Sequence, residues 1–259
     1  MLRALQEDRA AGVRAGAAAA LRGADADPVL LAALRAALAE AQPWTVRVQA
    51  AMAVAVLVPD DQEGVGVLAS ALASNDASAE RSATTYLDEL GPRAAPAAAA
   101  LAKVVEKGKY QPHFIDRTWY AIHALSRIGP AARPAVPALL AKLAEDQSNP
   151  NFTLTTTNYV EARENMIAYT LARIGPDAVP DLLKVFTEDK DAQRRRAAVL
   201  ALGFLGPPAK AAVGDLEAEA KKLAERDDRT NDDQWLATAL ERALGRIRDP
   251  NAIPPEKLE

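Results

Sequence analysis

The residues best equipped for chemistry in this 259-residue chain gather in one stretch. Trp119, His123 and Arg127 follow one another four residues apart, with Tyr120 beside them. Tyr169 and Arg173 repeat that spacing downstream, and Arg81 holds the matching place upstream. Residues four apart share one face of a helix, so each set presents a stripe. Aromatic rings beside guanidinium groups are what a protein-recognition hot spot uses. Phe114 and Phe152 stand in two polar segments close by. Together these nine residues form the candidate partner-binding set. The same stripe also suits half-buried packing between neighbouring helices, and residue type does not separate the two readings.

Other chemistries find little support. The chain has no Cys, so it has no disulfide, thiolate zinc site or cysteine nucleophile. Ser82 and Ser126 lack an obvious His/Asp set, and the acidic residues are dispersed, so no carboxylate pair stands out for acid/base work. There is no glycine-rich phosphate loop. The expectation is a protein that is not an enzyme and needs no cofactor or metal. A net charge of −4 and a pI near 5.4 make nucleic acid an unlikely partner. No run of about 18 apolar residues predicts a membrane span.

The elements that must position the stripe are legible in the composition. Alanine supplies 59 residues while aromatics make up only 5%. Alanine is the best helix former, and its small side chain lets helix axes approach closely. Landmarks recur: Leu90-Gly91-Pro92, Ile128-Gly129-Pro130, Ile174-Gly175-Pro176 and Leu205-Gly206-Pro207, with a weaker Leu57-Val58-Pro59. Gly past a helix end supplies a left-handed cap, and Pro cannot continue the helix. The landmarks are 33, 38, 46 and 31 residues apart. Such a unit, with a small-residue helix before each landmark and an Ala-x-Pro-Ala-Leu-Leu-type helix after it, predicts an all-α solenoid. About seven pairs are expected over 1–248, followed by a polar tail at 249–259. First helices are predicted at 2–8, 28–40, 63–73, 94–107, 132–146, 177–188 and 208–224. Second helices are predicted at 10–22, 44–57, 77–90, 113–128, 158–174, 191–205 and 232–247.

The motif Val-Arg-x-x-Ala-Ala-x-Ala-Leu-x-x-Ile-Gly-Pro followed by Ala-x-Pro-Ala-Leu resembles HEAT repeats. More narrowly, it is similar to the bacterial HEAT-like type named from phycobilisome lyases. Val13-Arg14, Val46-Arg47 and Arg194-Arg195 match the motif's Val-Arg or Arg, whereas Ala79-Glu80, Arg117-Thr118, Arg163-Glu164 and Leu236-Ala237 depart from it. The resemblance implies that second helices line a concave face. His113 and His123 are not followed by Glu, which sets aside the di-iron hydroxylase branch of such proteins.

Two connections break the repeat, 108–114 and 146–158, and a third extension spans 226–233. The first two join helices within consecutive repeats, so they are expected side by side on one rim. Long connections in a compact repeat are often functional. The leading reading is a non-catalytic scaffold that binds a protein or extended peptide along the concave face and this rim. One alternative, implied by the lyase resemblance, is an accessory protein that holds a chromophore. Another is a nucleic-acid binder like the HEAT-like DNA glycosylases, using Trp119 and Asp116. Met1 to Asp8 reads as a helix start with no leader, favouring the cytoplasm, while Leu258-Glu259 reads as a cloning remnant on a whole chain or an excised domain.

Overall fold

The computed structural model describes residues 1–110, 116–146 and 165–252. Among them the chain is all-helical, as expected. Seven first helices are α1 (Leu2–Glu7), α3 (Pro28–Ala36), α5 (Glu63–Ala71), α7 (Ala98–Lys107), α9 (Val136–Ala141), α11 (Val179–Glu188) and α13 (Val213–Ala224). They alternate with second helices α2 (Ala11–Ala20), α4 (Trp44–Leu57), α6 (Ala77–Leu90), α8 (Arg117–Ile128), α10 (Met166–Ile174), α12 (Ala192–Leu205) and α14 (Asn231–Arg248). Each second helix packs on the next, from α2 on α4 to α12 on α14, so the second helices form one unbroken layer. This is the expected all-α solenoid of helix pairs.

Small residues make that stacking possible. A Cβ on Gly64 of α5 would lie 2.4 Å from the Ala51 carbonyl oxygen of α4. One on Gly203 of α12 would lie 3.1 Å from both Cα and Cβ of Ala243 in α14. Leu87, Leu101, Ile122, Leu125, Leu171 and Leu202 are fully buried and fill the space between crossings. Aspartates start several helices: Asp27, Asp76, Asp116 and Asp191 accept backbone N–H groups of α3, α6, α8 and α12.

The Gly-Pro landmarks end second helices, but with a different geometry from the left-handed cap expected. Gly91, Gly129, Gly175 and Gly206 have φ of 56°, 71°, 100° and 67°, with ψ between −127° and −165°. That region belongs almost wholly to glycine. It turns the chain into short 3-10 segments, Gly91–Ala97, Gly129–Ala135, Pro176–Ala178 and Pro207–Ala212, before the next α-helix begins. The first helices therefore start several residues later than the sequence pattern predicts. Pro134 lies within such a 3-10 segment, while Pro28, Pro137 and Pro180 occupy the first turns of α3, α9 and α11.

The Arg of the Val-Arg motif also has a visible task. Arg47 Nε donates to the Leu38 carbonyl at 3.0 Å, and Arg195 Nε donates to the Phe186 carbonyl at 2.9 Å. Both acceptors lie nine residues back, where the preceding first helix or its last turn ends. In the fourth repeat Thr118 stands there instead, so close to Gly108 that a Cβ on the glycine would meet its Oγ1 at 2.1 Å.

Candidate functional site

The candidate stripe comes together at the seam between α6 and α8. Asp116 caps α8 by accepting the Trp119 N–H at 2.9 Å, which sets the register of the helix. One turn on, His123 Nδ1 lies 2.6 Å from Oδ1 of Asp88 on α6. A carboxylate only accepts, so Nδ1 carries the proton and Nε2 is left as the free ring nitrogen. The Asp88 residue is buried, while the His123 side chain keeps 27% of its surface exposed. The imidazole stacks on the Trp119 indole, with centroids 4.9 Å apart and planes 9° from parallel. Tyr120 meets the same indole edge-on at 5.2 Å. Arg127, half-buried, lies against Gly91 at the end of α6: a Cβ on that glycine would be 3.7 Å from Nε. Arg81 on α6 is exposed, and neighbouring Glu80 forms an ion pair with Arg117 at the start of α8.

The remaining expected site residues separate. Tyr169 is only 3% exposed. Its ring packs edge-on against Phe204 of α12, and its hydroxyl lies 3.3 Å from Nη1 of Arg173. A ring enclosed by the next helix cannot anchor a partner, so the stripe does not extend onto α10 as expected. The cause is packing: Phe204 of the next second helix closes over the ring. Phe114 and Phe152 lie outside the described residues, as do His113 and most of the two long connections. The third extension serves α14. Thr230 and Asp233 form a reciprocal capping box at its start. The Thr230 backbone N–H, and then its hydroxyl, hold the Asp233 carboxyl below the usual carboxylate range. Among the described residues no cluster of His, Cys, Asp or Glu could hold a metal ion.

No protein-family model and no curated protein matches the chain. Solved structures do. The chain is similar to the complex of CpcE and CpcF of phycocyanin lyase from Nostoc sp. PCC7120, at 22% identity over 95% of this chain and 92% of that one, with a TM-score of 0.44. Two engineered proteins match at 19% and 22% identity, each over 95% of this chain, covering 67% and 95% of theirs, with TM-scores of 0.47 and 0.41. The expectation that this chain is not an enzyme is thereby corrected: the match to phycocyanin lyase places a helical-repeat fold of this kind in an enzyme.

Ser126 shows how near the molecule comes to a triad. It sits one turn from the Asp88–His123 pair, yet it is 1% exposed and its Oγ has no hydrogen-bond partner. No contact joins it to the imidazole. Asp116, considered above for a glycosylase-like role, is committed to capping α8. The pairing of His123 with Asp88 escaped sequence reasoning, although a signal existed: the two lie 35 residues apart, close to one repeat. On α12, Arg196 lies 5.3 Å from the ring centroid of Trp235 on α14, and burial lowers its pKa from the ordinary value. No helix among the described residues is long and apolar enough to cross a membrane.

Proposed function

We propose that the protein binds a partner protein, through an extended segment, along the second-helix layer at the seam of α6 and α8. The observation that carries this is the cluster Trp119–Tyr120–His123. All three are half-exposed and pack on one another, whereas the half-exposed Trp44, Tyr86 and Trp235 of the same layer each lie under an arginine side chain. A buried carboxylate holds the imidazole, and the imidazole holds the indole. Such preorganisation lowers the ordering cost of binding. Affinity capture from a lysate of the source organism with wild-type protein and with Trp119→Ala/Tyr120→Ala tests it. The expected result is a partner lost in the double variant; an unchanged capture profile in a well-folded variant would remove the seam as the site.

A second reading is an accessory to a lyase that holds a chromophore. Stacked flat rings beside Arg side chains would suit a planar acidic ligand. Titration with a bilin decides it. An absorbance shift abolished by Trp119→Ala supports the reading, and an unaltered spectrum discards it.

A further inference from the structure

We propose that the segment bound at the α6/α8 seam is acidic, and that Arg81 and Arg127 read its carboxylates. The inference rests on the binding reading above and adds the partner's chemistry. It starts from an uneven charge distribution. The seven second helices carry twelve Arg and no Lys against six carboxylates. That is six net positive charges in a layer of a chain whose net charge is −4. Every described Lys lies in a first helix or a connection.

Most of these arginines are occupied. Arg14, Arg47 and Arg246 donate to backbone carbonyls. Arg117, Arg194, Arg195 and Arg248 form ion pairs. Arg173 and Arg196 lie over the rings of Tyr169 and Trp235. Among the described second-helix arginines, Arg81, Arg127 and Arg242 have no ion pair, side-chain hydrogen bond or ring contact. Two of the three flank the seam where the half-exposed aromatics stand.

Arg127 carries the argument furthest. Its guanidinium lies against the backbone of Gly91, one turn along α8 from His123. Asp88, which holds His123, is one turn before Gly91 on α6. The end of α6 thus presents two side chains of α8 in register: an imidazole with a free Nε2 and a half-buried guanidinium with unused donors. A partly desolvated Arg is fixed in place before any ligand arrives, and its planar fork matches a carboxylate with two parallel hydrogen bonds. The carboxylates of α6 do not fill that role. Glu80 is on Arg117, Asp88 is on His123, and Glu89 is exposed. The overall negative charge repels a long polyanion at a distance, so a short run of carboxylates fits better than a nucleic acid.

Fluorescence anisotropy with a labelled short peptide of alternating Glu and Tyr tests this, beside its Gln/Tyr counterpart and a single-stranded oligonucleotide. The expected result is binding of the acidic peptide alone, weakening with added salt. Arg81→Gln/Arg127→Gln should weaken it about tenfold or more with an unchanged thermal melt, since the cationic donors to its carboxylates are removed. Arg242→Gln should leave it unchanged. Equal binding of the Gln/Tyr peptide overturns the charge inference while leaving the seam as a binding site. Tighter binding of the oligonucleotide, no binding of the acidic peptide, or full binding by the double variant also overturns it. The lysate capture with Trp119→Ala/Tyr120→Ala judges the seam separately.

Discussion

Helix α6 takes part in two seams, and they are built differently. On the α4 side, Gln49 accepts the Tyr86 hydroxyl at 2.9 Å and also the Arg22 guanidinium, which in turn lies 4.3 Å from the Tyr86 ring centroid. Each of the three side chains meets another of the three, although the buried Nε of Arg22 has no hydrogen-bond partner. On the α8 side, Asp88 and His123 pair, but Arg81 and Arg127 have no acceptor and the Trp119–Tyr120 pair stays half-exposed. Both are polar ladders between repeats: the first runs from Arg22, at the end of the first pair, through α4 to α6, and the second crosses from α6 to α8. A ladder in which every side chain meets another joins repeats. A ladder with cationic donors left over has capacity for something else.

This contrast can be broken or sharpened by substitution. The largest effect should come from Leu87→Ala. This fully buried residue belongs to the helix both seams share, and the change should cost about 2–5 kcal/mol in urea denaturation. A loss well under 1 kcal/mol would mean that α6 is not the common support. Next, Asp88→Ala removes the acceptor of His123 and should cost about 1–3 kcal/mol. Trp119 fluorescence should shift with it, because the stacked imidazole is released; an unmoved spectrum would count against the coupling.

A reference outside both seams is Thr230→Ala, which opens the capping box of α14 and should cost about 0.5–2 kcal/mol. It also carries a pH signature. The Asp233 carboxyl has a lowered pKa in the folded state, so its stabilisation is complete above the unfolded value of about 3.9 and is lost as pH falls through the folded value. Urea midpoints measured from neutral to acid pH should show that increment shrinking in the variant.

Smaller still, Gln49→Ala should cost about 1 kcal/mol by leaving Tyr86 and Arg22 without their acceptor. It should not alter acidic-peptide binding. Last, Arg127→Gln should change stability by under about 0.5 kcal/mol while weakening that binding. If Gln49→Ala weakened binding as much as Arg127→Gln, the two seams would not differ in kind.

The repeat architecture was legible because it rests on local chemistry. Gly91, Gly129, Gly175 and Gly206 punctuate the chain, since positive φ followed by Pro ends a helix whatever lies around it. Second helices at 44–57, 77–90 and 191–205 were placed within a residue or so of α4, α6 and α12. First-helix starts were misjudged where Gly-Pro leads into 3-10 turns, because α and 3-10 turns tolerate the same residues. The site was legible in part. Trp119, His123 and Arg127 share a face by helix geometry alone, and the structure puts them on one seam.

Which of those residues remain accessible was a different question. Tyr169 occupies the same frame position as His123, yet one is enclosed and the other stands half-open. The difference lies in the next helix: Phe204 closes over the tyrosine, whereas Asp88 of the preceding helix holds the histidine at the surface. So the amino-acid sequence by itself determined the repeat, its punctuation and the helical face on which each side chain sits, because these follow from backbone preferences within a few residues. Only the tertiary structure decided which side chains find partners across a repeat boundary. Those contacts join residues some 35 positions apart, and they depend on how closely two alanine-rich helices approach.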